Sequence, residues 1–229
     1  MKRCAIIALV LGSVTLLQAQ KPEIDDLKSR LGSISDARQR FRIADSLFMV
    51  YRESDLTNAV YLADQLQELS GSLNDNKSRI RANYAMGWVY AYRGDYANAT
   101  RYGQQELDLC VAEQDSIGLI RCYINMGDNY LEMGRFNLAY LMTYSAKEIA
   151  EQMNSQVDIG YVVHNFGRIY KEMGQYELAL KNYKEADSIS HEFADLYSGL
   201  YTHREFGDLY LRTGDYERSL ENLSTALRI

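Results

Sequence analysis

The feature that most constrains this chain is a repeat of 40 residues that runs through most of its length. Five columns of residues recur four times at this step. They are Gly87, Gly127, Gly167 and Gly207; Tyr90, Tyr130, Tyr170 and Tyr210; Gly94, Gly134, Gly174 and Gly214; Tyr96, Phe136, Tyr176 and Tyr216; and Ala99, Ala139, Ala179 and Ser219. A weaker upstream copy places these residues in the same columns: Leu47, Val50, Ser54, Leu56 and Ala59. Such self-similarity is typical of solenoids made of stacked units.

Within each repeat the sequence pattern predicts two helices. Apolar residues such as Met126, Tyr130 and Met133 lie three, four or seven positions apart, as one face of a helix requires. A column of N-cap residue types precedes each first helix: Asp75, Asp115, Ser155 and Asp195. The second glycine column, starting at Gly94, suits the left-handed conformation that ends a helix. The predicted fold is therefore all-α, a right-handed superhelical α-solenoid of antiparallel helix pairs.

The first glycine column lies in the middle of a helix, where glycine costs about 1 kcal/mol relative to alanine. Glycine is found at four equivalent positions despite this cost. This predicts that the two helices of a pair cross at Gly87 and its equivalents, too close together for a Cβ. The small column that begins with Ala99 is expected to be the counterpart on the second helix. The repeated aromatic residues are expected to pack in the core.

These columns resemble the tetratricopeptide repeat, which has a small residue and tyrosine in its first helix, a turn glycine, and an aromatic and alanine in its second. The period of 40 exceeds the usual 34, and the usual tryptophan and closing proline are absent. The segments 24–31 and 50–55 are similar to exported repeat arrays of Bacteroidetes signalling proteins. That resemblance implies an array followed, in the full-length protein, by a membrane helix and an output domain.

The first twenty residues have the pattern of a secretory signal peptide. Lys2 and Arg3 precede thirteen uncharged residues, too few to span a bilayer as a helix, and Ala19 is a small residue at the cleavage position. Cleavage is expected after Ala19 or Gln20, and the alternative is an uncleaved N-terminal anchor. Export to the periplasm is the corresponding expectation.

The predicted domains follow from these two patterns. They are a signal peptide at 1–19, a lead-in helix at 20–35 and a solenoid at 36–229, with repeats at about 36–75, 76–115, 116–155, 156–195 and 196–229. The last repeat is incomplete, and Leu220, Leu223 and Leu227 would face an absent neighbour. We therefore expect the sequence to be a fragment or a truncated product.

Charge and motifs argue against several classes of function. The net charge of −6 disfavours nucleic acid and anionic membrane surfaces as partners. The sequence has no hydrolase, metalloprotease or phosphate-loop motif, so we predict no enzyme activity, no cofactor and no metal site. His164 and His203 are one column apart and are expected to approach each other without forming a zinc site. Cys110 and Cys122 are expected to be buried thiols, with a disulfide as the alternative.

The resemblance implies that an extended peptide binds along the surface made by the first helices. The residues that map to this surface are Arg81, Tyr84, Trp88, Tyr92, Arg121, Asp128, Tyr161, His164, Arg168, Tyr201, Arg204 and Asp208. Trp88 lies four residues from Tyr84 and from Tyr92, so the three share one side of a helix. This stripe is either an aromatic binding anchor or a packing surface for the preceding first helix.

The sequence as a whole favours a non-catalytic module that binds a protein or peptide. Its predicted role is the extracytoplasmic sensory part of a signalling protein. The alternative is a free periplasmic scaffold that organises an envelope complex. A monomer and a homodimer are both compatible with the sequence.

Overall fold

The protein, a computed structural model, is described for residues 24–228, which are helical and contain no strand. Helix α1 includes residues 24–33. The later helices are α2 (Ala37–Tyr51), α3 (Leu56–Leu73), α4 (Asn76–Tyr92), α5 (Tyr96–Glu113), α6 (Ser116–Glu132), α7 (Phe136–Gln152), α8 (Gln156–Glu172), α9 (Tyr176–Glu192), α10 (Leu196–Thr213) and α11 (Tyr216–Ala226). The predicted all-α fold class is confirmed.

The helices pack as adjacent antiparallel pairs within two compact units, Met1–Gln114 and Asp115–Ile229. Unit 1 contains the pairs α2–α3 and α4–α5, and α3 packs against α4. Unit 2 contains the pairs α6–α7, α8–α9 and α10–α11, joined by α7 against α8 and by α9 against α10. Each unit is thus a stack of helix pairs, as a solenoid requires.

The predicted signal peptide, 1–19, lies outside the described residues. Within the described part of the chain, no helix combines the length and the apolar character needed to cross a membrane. Cys110 and Cys122 are buried thiols in different units.

The repeated capping residues set where the helices begin and end. The Asp75 carboxylate accepts a hydrogen bond from the Ser78 N–H at 2.9 Å, and so satisfies a donor that the first turn leaves open. At the other end of α4, Gly94 has a φ of +75°. This left-handed residue lets the Asp95 N–H donate to the Tyr90 carbonyl at 2.9 Å, which closes the helix. The same geometry recurs at the three later turn glycines.

The two helices of the four pairs from α4–α5 to α10–α11 cross at the mid-helix glycines, as predicted, but with different partners. A Cβ added to Gly87 would lie 3.6 Å from the Ala99 carbonyl oxygen, which is ordinary contact. A Cβ added to Gly167 would lie 2.4 Å from the Tyr183 ring. Ala179, the small residue expected opposite Gly167, therefore does not fill the space at this crossing. The fully buried Tyr183, four residues beyond Ala179, occupies that space instead.

We predict opposite effects of alanine at these two equivalent glycines. Gly87→Ala should stabilise the chain by up to about 1 kcal/mol, because alanine favours a helix and the site has room. Gly167→Ala should destabilise it by about 1–3 kcal/mol, because the new methyl group overlaps the Tyr183 ring. Urea unfolding followed by circular dichroism measures both. Equal shifts in the two variants would show that the close crossing at Gly167 is misplaced.

Candidate functional site

The first helices of unit 2 line an open groove of about 400 Å³, here called the unit 2 groove. Helices α6, α8 and α10 each contribute one side of it. Seven of the predicted surface residues line it: Arg121, Asp128, Tyr161, His164, Arg168, Tyr201 and Arg204. Other lining residues that the prediction did not include are Asn125, Asn165, Tyr197 and Ser198. Asn125 and Asn165 are 40 residues apart, so the repeat alone could have found them.

An ion pair between neighbouring first helices fixes the middle of the groove. Arg168 on α8 donates from Nη1 to the Asp128 Oδ1 on α6 at 2.5 Å. The same nitrogen lies 3.4 Å from the Asn165 side-chain oxygen. Asp128, the one carboxylate among the described residues that line the groove, is therefore ion-paired within it.

Two tyrosines and an arginine form the wall that α10 contributes. The Tyr197 and Tyr201 rings have centroids 4.6 Å apart, and their hydroxyl oxygens are 3.1 Å apart. The Arg204 guanidinium lies over the Tyr201 ring, 4.7 Å from its centroid. The Arg204 side chain remains 55% exposed, although its Nη2 also lies 3.4 Å from the Glu205 Oε1, so its guanidinium lies at the rim above an aromatic surface.

His164 is a neutral, buried part of the groove wall. Its Nδ1 lies 3.1 Å from the Thr202 hydroxyl on α10. Burial lowers the His164 pKa to about 4, although the Glu205 charge acts in the opposite direction. His203, which was expected to approach His164, interacts with Asn222 on α11.

A buried ion network beneath the groove was not predicted. The Lys171 ammonium on α8 contacts the Glu205 carboxylate at 2.5 Å and the Asp208 carboxylate at 2.6 Å, both on α10. Burial alone would raise the pKa of Glu205, but the hydrogen bond and charge of Lys171 prevail and lower it to about 2. Asp208 belongs to this network, where Arg212 also contacts it at 3.1 Å, and it does not line the groove.

In unit 1 three of the four predicted surface residues on α4 make packing contacts. Arg81 forms a bidentate ion pair with Asp45 on α2, with its closest contact at 2.6 Å. Tyr84 is buried and accepts a hydrogen bond from Arg52. The Trp88 ring lies edge-on to the fully buried Phe48 of α2, at 5.9 Å between centroids. These contacts favour the packing interpretation of the stripe.

Tyr92 differs from the other residues of that stripe. Its ring lies 5.2 Å from Trp88 and is 61% exposed. Unit 1 therefore offers a tyrosine surface at the end of α4, whereas unit 2 offers a groove with both aromatic and charged walls.

We predict that His164 makes the protein less stable in acid. Its pKa in the folded chain lies below the ordinary value of 6.5. The unfolded chain therefore takes up the proton first, and stability falls as the pH drops from 6.5 towards 4. At pH 5 this contribution is about 2 kcal/mol. Urea unfolding at pH 7 and pH 5 should show a smaller loss for His164→Gln than for the natural chain. The same loss in both would contradict a neutral His164.

Two family models match the sequence. The model described as the SusR N-terminal TPR domain matches residues 15–105, and the model described as TPR repeat matches residues 167–200. No curated protein sequence matches the chain significantly.

Solved structures with a similar fold have low sequence identity. A STAND protein with a tetratricopeptide repeat sensor from Pyrococcus horikoshii has a TM-score of 0.67 and 16% identity, covering 91% of this chain and 33% of its own. A Rap protein complexed with Competence and Sporulation Factor has a TM-score of 0.76 and 15% identity, covering 100% of this chain and 66% of its own. Aspartyl phosphate phosphatase F from Bacillus subtilis has a TM-score of 0.66 and 18% identity, and the match covers 84% of this chain and 52% of the phosphatase chain.

The chain thus spans one third to about two thirds of the length of these structures. The two family models match different parts of the sequence and describe the same kind of repeat. The solved structures share its stacked helix pairs. The matches thus identify tetratricopeptide repeats at residues 15–105 and 167–200, and the turn glycines and mid-helix crossings show the same helix-pair architecture between and after these segments.

Proposed function

We propose that this chain binds an acidic, extended peptide or protein segment in the unit 2 groove, and that it does so as the non-catalytic sensory part of a longer signalling protein. The observation that carries the proposal is the lining of the groove, which combines arginine and tyrosine side chains with two asparagines that lie one repeat apart in the sequence. Tetratricopeptide repeats are typically protein-binding modules, which agrees with this use of the surface.

Charge favours an acidic ligand. The lining contains the guanidinium groups of Arg121, Arg168 and Arg204 and the carboxylate of Asp128, an excess of two positive charges. The whole chain carries a net charge of −6. A negatively charged segment is therefore repelled by the protein on average and attracted at the groove, which gives both orientation and selectivity.

The shape and the side chains of the groove favour a peptide over a small metabolite. The groove is open and spans three first helices, so a chain can enter and leave along it. Tyrosine and arginine are enriched among the residues that dominate binding energy at protein interfaces. The Asn125 amide can donate to and accept from an extended backbone, whereas the Asn165 side chain is buried with its oxygen 3.4 Å from the Arg168 Nη1.

The sensory role is supported by what the similar proteins are described as. The matching family model is that of the SusR N-terminal domain, and the repeats of the Pyrococcus protein are described as a sensor. The Rap structure holds a bound factor. We infer that this chain is exported by its signal peptide and senses its ligand in the periplasm.

Peptide selection tests the ligand class. Random nonapeptides displayed on phage should be enriched in aspartate and glutamate after selection on the full chain. Against one selected peptide, Tyr201→Ala should weaken binding at least tenfold, because truncating a central aromatic residue typically costs 2 kcal/mol or more. Arg204→Gln should weaken it less, with the largest effect at low salt, because its charge lies at the rim.

Lys184→Gln is the matched control, since it removes an exposed charge from α9, away from the groove lining. It should leave the affinity unchanged. Selection of basic or uncharged peptides, or equal affinities for all three variants, would contradict the proposed ligand.

The sensory role has a separate test in the gene. We expect the reading frame beyond Ile229 to encode a membrane helix followed by an output domain. Sequencing the genomic locus checks this directly. A stop codon after Ile229 would instead favour a free periplasmic scaffold and would leave the ligand proposal standing.

A further inference from the structure

Three side chains that commonly bind metals meet at the junction of α9 and α10, outside the groove lining. Asp187 and His191 lie one helical turn apart on α9, and His203 lies on α10. The Asp187 Oδ1 is 3.4 Å from the His203 Nε2 and 3.7 Å from the His191 Nε2. All three ligand atoms lie within 4.8 Å of one another.

These separations suit a single small cation. Zinc binds imidazole nitrogens and carboxylate oxygens at about 2.0–2.2 Å, so neighbouring ligands of a tetrahedral ion are about 3.4 Å apart. The two distances from Asp187 to the histidines are already close to that value. A small rotation of the exposed His191 side chain would complete a three-ligand set.

The Asp187 oxygen that faces both rings lacks a hydrogen-bond partner. Among the described residues, the Asp187 Oδ1 is buried and accepts no hydrogen bond. A buried acceptor left unsatisfied costs free energy, and more so when it is charged. A cation bound between this oxygen and the two imidazoles would remove that cost.

A neighbouring amide prepares His203 as a ligand. The Asn222 Nδ2 donates to the Arg218 carbonyl at 2.9 Å, so its side-chain oxygen points the other way. This oxygen lies 2.9 Å from the His203 Nδ1 and accepts a hydrogen bond from its N–H. The lone pair of the neutral ring is then on Nε2, the atom that faces Asp187. Metal-binding histidines are usually oriented in this manner.

We propose that Asp187, His191 and His203 bind one divalent transition-metal ion, with Zn²⁺ as the best fit, and leave the fourth position to water or to a side chain of a partner. Two imidazoles favour zinc and its neighbours over Mg²⁺ and Ca²⁺, which prefer oxygen ligands. The ion would tie α9 of one helix pair to α10 of the next, and so would stabilise the junction between two repeats.

The sequence prediction of no metal site considered His164 with His203. It did not consider a site shared by Asp187, His191 and His203, because the first two lie on α9, the third lies on α10, and the three do not follow the 40-residue step.

The test is metal binding to the full, untagged chain after removal of metals by a chelator. Calorimetric titration should show one Zn²⁺ bound per chain, thermal unfolding should move to higher temperature with Zn²⁺, and Co²⁺ should give the visible absorption of a tetrahedral site. Excess Mg²⁺ should not compete.

Two variants separate metal binding from folding. His191 is 75% exposed, so His191→Ala should leave helicity unchanged while weakening Zn²⁺ binding at least tenfold. Asn222→Ala should weaken it by about 10–100-fold through the orientation of His203. The matched control is Glu192→Ala, which changes the exposed neighbour of His191 and should have no effect.

Absence of saturable Zn²⁺ binding would overturn the proposal. Binding that persists unchanged in both His191→Ala and Asp187→Asn would overturn it as well, because the ion would then occupy another site.

Discussion

The close crossing of paired helices at the mid-helix glycine is the contact on which unit 2 depends. At Gly167 the missing side chain leaves room for the Tyr183 ring, which lies against the α8 backbone. The hydroxyl of that ring reaches to 3.4 Å from the Glu205 carboxylate, which Lys171 also holds. The Tyr183 ring also lies 5.7 Å from His164. One absent Cβ thus connects helix pairing to the buried ion network and to the wall of the groove.

Ion pairs one repeat apart organise the first helices. Arg168 pairs with Asp128 across α8 and α6, and Arg212 pairs with Glu172 across α10 and α8. Such pairs hold neighbouring first helices in register. Arg204 lies 3.4 Å from the Glu205 carboxylate of its own helix, and its side chain remains 55% exposed.

The features that could be predicted from the sequence are those set by local backbone conformation and capping hydrogen bonds. Turn glycines such as Gly94 and caps such as Asp75 act within a few residues, so the 40-residue period was enough to place helix pairs and the groove-forming face. The contacts of Lys171 with Glu205 and Asp208, and of Asp187 with His203, join side chains 16 to 37 residues apart in ways that the period does not mark. Whether Trp88 packs or binds was undecided, because that depended on where Phe48 lies on another helix.

The residue sixteen positions after each mid-helix glycine changes along the chain, from Gly103 to Thr143, Tyr183 and Leu223. The residue at this position therefore differs from one crossing to the next, although the glycine is common to all four. The repeats look interchangeable in sequence. Recombination that exchanged one helix of a pair would nevertheless place the space at a mid-helix glycine against a side chain that does not fit it. Evolution of such an array is thus expected to duplicate or delete whole pairs, and to let the two positions of each crossing covary.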